Sequence, residues 1–86
     1  MKKVFKYAMN AVGECVVPLS ADVIKIASQD ESIYVWAMAD PYEVEMKTLQ
    51  YHIVPTGFKE VPESTSYQDT VFLASGLVFH IFKEEK

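Results

Sequence analysis

Apolar residues alternate with their neighbours along most of this chain, at the period of two that marks β-strands rather than the 3.6 of a helix. Val4–Met9 sets Phe5, Tyr7 and Met9 against Val4, Lys6 and Ala8. A turn follows at Asn10–Gly13, and Glu14–Pro18 reads as a second strand ending at proline. Beyond the break at Ser20-Ala21-Asp22, residues Asp22–Ser28 set Val23, Lys25 and Ala27 against Ile24 and Ile26. Ser28–Ser32 is a polar turn. Ile33–Ala39 carries Ile33, Val35, Ala37 and Ala39 on one side and Tyr34, Trp36 and Met38 on the other. Asp40-Pro41 stops it, because proline cannot donate to a ladder. Val44–Val54 alternates Met46, Thr48, Gln50, His52 and Val54 against Lys47, Leu49, Tyr51 and Ile53, and Pro55-Thr56-Gly57 closes it. Phe58–Gln68, with Pro62 and a Ser/Thr cluster, is expected to be irregular.

The stretch Thr70–Phe82 reads as a hairpin turning at Ser75-Gly76. A two-residue turn there sets Ala74 opposite Leu77, Phe72 opposite Phe79 and Thr70 opposite Ile81 on one face. Leu73 with Val78, Val71 with His80, and Phe82 fall on the other. Both faces are apolar, whereas a half-buried antiparallel strand has one apolar and one polar face. Phe72, Leu77, Phe79 and Ile81 are therefore assigned to the core or to a subunit contact. Six to seven short, mainly antiparallel strands predict an all-β fold, a compact sandwich or small barrel. Residues 1–86 make a single β domain, with 83–86 as a solvated tail. A chain of this length buries only roughly 60–65% of its unfolded surface, so association into a homo-oligomer is expected.

Charge narrows the partners. Twelve acidic residues face eight basic ones for a net −4, and every base is lysine. Bidentate readout of phosphates and guanine edges is mostly arginine chemistry, so binding to long nucleic acid is not expected. No apolar run nears the roughly 18–20 residues that span a bilayer, and Lys6 and Asn10 interrupt the segment after Met1-Lys2-Lys3. Neither a membrane span nor a secretory leader is expected, which predicts a cytosolic protein. The lone Cys15 excludes an internal disulfide and, next to Val16 and Val17, reads as a small core residue.

Candidate chemistry is sparse. His52 and His80 are the side chains that titrate near neutrality. A metal held by them would need a third ligand such as Asp40 or Asp69. His80, among Val71, Val78 and Phe82, reads as a core or interface histidine bonded to backbone, and His52 as a polar, partly exposed position. No nucleophile motif is present, and Glu43 and Glu45 read as a solvated edge. No catalytic residue, metal or cofactor is therefore expected. The amides of Pro55-Thr56-Gly57 are those of an ordinary turn or of a small phosphate nest. Tyr34 and Trp36, sharing a strand face with Met38, suit either a core or a platform on which a base stacks.

Four segments look familiar. Lys3-Val4-Phe5-Lys6-Tyr7, Val35–Pro41 (VWAMADP), Tyr51–Gly57 (YHIVPTG) and Leu77–Phe82 (LVFHIF) occur in that order. They resemble the K-V-W-K-Y, L-W-A-L-V-D-P, aromatic-R-I-x-G-T-G and L-V-F-H-V-F segments of a family of small tailed-phage proteins of unknown function. His52 stands where that family has arginine, and Pro55 where it has a glycine. The resemblance implies a phage-encoded accessory protein of the infected bacterial cytoplasm. Some small oligomeric phage β proteins resemble sponges for cyclic-nucleotide immune signals, and others cap host enzymes. A non-enzymatic counter-defence protein that sequesters such a nucleotide or caps a host protein is accordingly expected. Tyr34 and Trp36 would stack, and His52, Thr56, Gly57 and Lys59 would make polar or phosphate contacts. The alternative is a virion structural or assembly protein. A small nucleotide-cleaving enzyme built on His52, His80 and a carboxylate comes third.

Overall fold

A computed structural model describes residues 1–57 and 60–85. Its seven strands are β1 (Lys3–Ala8), β2 (Glu14–Pro18), β3 (Asp22–Gln29), β4 (Ser32–Ala39), β5 (Met46–Pro55), β6 (Thr65–Phe72) and β7 (Val78–Glu84). They form a three-stranded sheet in the order β1-β4-β3 and a four-stranded sheet in the order β2-β5-β7-β6. Every ladder is antiparallel, so the all-β sandwich follows from the alternation in the sequence. Among the described residues no helix is long and apolar enough to cross a membrane.

The inner faces are those that the periodicity marks. Ile33, Val35, Ala37 and Ala39 of β4 are buried, flanked by Phe5 and Tyr7 of β1 and by Ile26 of β3. Facing them are Cys15 and Val17 of β2, Leu49, Tyr51 and Ile53 of β5, Val71 of β6, and Phe79 and Ile81 of β7. Cys15 is thus a core residue, as its apolar neighbours predict. Each fully buried Val or Ile side chain contributes about 1.5–3 kcal/mol on removal from water, so this shared layer drives the closure of the sandwich.

Three details depart from a strict period of two. In β3 the register shifts between Val23, opposite Ala37, and Lys25, opposite Trp36. Ile24 is the extra residue of a β-bulge and stands exposed, while Val23 takes the place beside Ala37. The β6–β7 hairpin turns through Ala74-Ser75-Gly76 rather than through two residues, with Gly76 N–H donating to Leu73 O and Gly76 at φ 98°. A three-residue loop that ends on a left-handed glycine adds one residue to the turn and slips the pairing by one. Phe72 consequently pairs with Val78, Val71 with Phe79, and Thr70 with His80. Phe79 and Ile81 remain core residues, but Phe72 moves to the outer face and is 68% exposed, and Leu77 is exposed in the turn. At the chain's end, Lys83 and Glu84 pair with Ser66 and Thr65, so the expected tail is shorter and β6 begins inside the segment expected to be irregular.

Gly13 ties the first turn to β5. Its carbonyl accepts Tyr51 N–H at 2.8 Å, and its φ is 87°. A Cβ on Gly13 would fall onto the Tyr51 carbonyl, whereas Gly57 and Gly76 have open space around theirs. Gly13→Ala should therefore cost about 3 kcal/mol or more in urea unfolding, from overlap added to left-handed strain. Gly57→Ala and Gly76→Ala should each cost only about 1–2 kcal/mol, the strain alone. Equal losses at all three positions would contradict this packing of the first turn.

Candidate functional site

The outer face of the three-stranded sheet is built from the positions that alternate with the core. Trp36 lies between Lys6 of β1 and Lys25 of β3 in cross-strand register, and Tyr34 lies between Ala8 and Ala27. The Tyr34 and Trp36 rings meet edge to face with centroids 6.0 Å apart. Lys6 reaches across the sheet: its ammonium sits 4.5 Å from the Tyr34 ring centroid and donates to Gln29 Oε1 at 2.6 Å. A cation over an aromatic face is attracted to it, and the lysine stem covers the ring. Lys25 pairs with Asp69 of β6 at 3.1 Å and keeps more than half of its side chain in solvent. The result is an indole whose two cross-strand neighbours are lysines, with the Lys6 ammonium over Tyr34 and the Lys25 ammonium at Asp69. Strand spacing of about 4.8 Å puts the two lysine backbones roughly 10 Å apart.

The outer face of the four-stranded sheet carries a different cluster. His52, Phe82 and Tyr67 form one cross-strand row, and Val54, His80 and Thr70 form the next. Tyr67 and Phe82 pack edge to face at 5.8 Å. The Thr56 hydroxyl donates to Val78 O at 3.3 Å, and Thr56 Oγ1 lies 2.8 Å from His80 Nε2. A hydroxyl has one proton, so Nε2–H donates to Thr56. His80 Nδ1 then accepts from Thr70 at 3.1 Å, and Thr70 accepts from Tyr67 at 2.6 Å. Among the described residues His80 is thus bonded to side chains rather than to backbone, and is partly exposed rather than in the core.

The two histidines are diagonal neighbours on this face, and His52 Nε2 is 4.0 Å from Glu84 Oε2. Of the third ligands considered, Asp40 caps its own turn by accepting Tyr42 N–H, and Asp69 pairs with Lys25. Among the described residues no group of three His, Cys, Asp or Glu could hold a metal ion. Glu43 is not merely a solvated acid, since its carboxylate accepts Ser20 N–H at 2.7 Å.

The residues singled out in the sequence therefore do not form one site. Tyr34 and Trp36 lie on the outside of one sheet, while His52, Thr56 and Gly57 belong to the other. Lys59 lies outside the described residues. Lys6 and Lys25, which flank the indole, were not among the expected site residues. Their outward phase is visible in each strand's alternation, but their meeting across Trp36 depends on ladders between segments far apart in the chain.

A family model, a domain of unknown function (DUF7352), matches residues 1–86. The chain belongs to the DUF7352 family. No curated protein and no solved structure matches it.

The core holds one unusual group. Tyr51 is fully buried, and its hydroxyl has no hydrogen-bond partner among the described residues. Burial, with a smaller effect from a charge on Cys15, pushes its pKa up to about 12, and burial also raises the Cys15 thiol. A phenol whose folded pKa lies above its unfolded value near 10 stabilises fully below pH 10 and loses that contribution as pH rises towards 12. About 2–3 kcal/mol should disappear across that window in urea midpoints measured against pH. Tyr51→Phe should flatten this alkaline limb and leave stability at pH 7 unchanged or higher by up to about 1 kcal/mol, because it removes an unpaired buried hydroxyl. A loss of more than about 1 kcal/mol at pH 7 would mean that the hydroxyl has a partner.

Proposed function

We propose that this DUF7352 protein is a phage-encoded, non-enzymatic binding protein of the host cytoplasm. It holds a small nucleotide on the outer face of the three-stranded sheet and so withdraws a host signal. One observation carries the proposal: Trp36 lies in register between Lys6 and Lys25, with Tyr34 beside it. An indole offers a stacking surface that suits any base, and Lys6 and Lys25, on turning from Gln29 and Asp69, supply ammonium groups for its phosphates. A protein of net charge −4 repels long polyanions overall, which favours a small anion caught at a local lysine pair over DNA or RNA. The four segments that resemble small tailed-phage proteins support the phage origin and, with it, the cytoplasmic location. His52 and Thr56 leave the nucleotide site, because they stand on the opposite sheet.

Self-association remains part of the proposal. Phe72, Leu77 and Tyr67 keep more than half of their surface in solvent on and beside the outer face of β6 and β7. The same apolar surface favours the second reading, a protein that assembles into the virion or caps a host protein.

Trp36 is the chain's single tryptophan, so its fluorescence reports directly on the site. Titration with a panel of cyclic mono- and dinucleotides at low ionic strength should give saturable quenching by at least one of them. Loss of one stacked base costs about 1–3 kcal/mol, so Trp36→Ala should weaken binding, followed by calorimetry, by roughly 5- to 150-fold. Lys6→Ala and Lys25→Ala should weaken it less, and His52→Ala should not. Absence of quenching by every nucleotide, or binding that survives Trp36→Ala, would overturn the proposal.

A further inference from the structure

At the end of the sandwich where the β3–β4 and β6–β7 turns meet, the sheets part over a cleft of about 500 Å³. Its apolar lining comes from both sheets: Met9 and Ile33 on one side, Ile53, Leu73 and Phe79 on the other. These side chains border the core, so the cleft is an opening into the hydrophobic interior rather than a dent in a polar surface. Its volume falls within the ~300–1,000 Å³ of pockets that enclose small molecules.

The mouth is held in shape and carries one sign of charge. Glu31 Oε2 accepts Ser75 N–H at 2.7 Å, which links the β3–β4 turn to the β6–β7 turn. Beside it, the Ser28 hydroxyl donates to Phe72 O and joins the edges of β3 and β6. Among the described residues Glu31 is the one charged residue in the lining, with Asn10 and Ser32 as neutral polar neighbours, and Asp30 adjoins it in the same turn. One carboxylate oxygen of Glu31 is used by Ser75, and no hydrogen bond or ion pair engages the other among the described residues. Among the described residues no lysine or histidine lines the cleft to offset this charge.

We propose that this cleft is a second binding site, for a small amphiphilic cation. An alkyl chain or compact apolar body enters between Ile33, Leu73 and Phe79, and an ammonium head rests at the Glu31 carboxylate. The apolar lining supplies the affinity by removing hydrocarbon from water, and the acidic mouth selects the sign of the head group. This site is separate from the Trp36 face in both position and preferred charge, so either can fail without the other.

The test compares decyltrimethylammonium, decanoate and decanol at submicellar concentrations, by calorimetry with the wild-type protein and with Glu31→Gln, which keeps an acceptor for Ser75 N–H. Wild type should bind the cation about tenfold or more tightly than decanoate, because attraction to one head group and repulsion of the other each contribute up to about fivefold at a partly exposed carboxylate. Glu31→Gln should bring the two within about threefold and leave decanol binding unchanged. Leu73→Trp, which fills the cleft, should abolish binding of all three. If Leu73→Trp does not fold, displacement of amide NMR signals from Ile33, Leu73 and Phe79 by decanol in the wild type takes its place. Binding of none of the three, equal binding of cation and anion by wild type, or binding undiminished in a folded Leu73→Trp would overturn the proposal.

Discussion

Burial of the inner face of β4 is the interaction on which the rest of this fold depends. Val35, Ala37 and Ala39 have no exposed surface; β1 registers on all three and β3 on Val35 and Ala37. The facing sheet answers with Tyr51 and Ile81, which are equally enclosed. Because side chains alternate along a strand, hiding one half of β4 forces the other half outward. Tyr34, Trp36 and Met38 are therefore presented at the surface by the same residues that close the core. The platform on the three-stranded sheet is thus a consequence of core packing rather than an addition to it.

The outward aromatic residues are stabilised by their neighbours in different ways on the two sheets. On the three-stranded sheet, the stem of Lys6 lies over Tyr34 and its head bonds Gln29, which bridges three strands with one side chain. On the four-stranded sheet, Tyr67 and Phe82 cover each other, and hydroxyl groups from the turn after β5 and from β6 satisfy both nitrogens of His80. The first arrangement engages the Lys6 head with Gln29 and the Lys25 head with Asp69, on either side of the Trp36 strand. The second engages both His80 nitrogens internally, while His52 Nε2 is buried without a hydrogen-bond partner among the described residues.

Much of the fold was legible in the sequence because strand phase is a local property. The inward set of Phe5 and Tyr7, of Ile33 to Ala39, and of Leu49 to Ile53 follows directly from alternation. What escaped was set by single extra residues and by pairing at a distance. Ile24 looks like a core position until a bulge turns it out, and Gly76 lengthens a turn enough to put Phe72 outside and Thr70 beside His80. Trp36 and Tyr34 were recognisable as stacking candidates, yet their grouping with His52 and Thr56 failed. Which strands share a sheet depends on long-range ladders that no local pattern encodes. The cleft under Glu31 was invisible for the same reason, since its walls come from five separate segments.

The central claim, that ligand recognition belongs to the Trp36 face, is tested most directly by mapping a bound nucleotide onto amide signals of isotope-labelled protein. The account predicts shifts concentrated at Lys6, Lys25, Tyr34 and Trp36, with β5 and β7 silent. Shifts centred instead on Thr56 and His80, or none with any nucleotide at millimolar concentration, would contradict it.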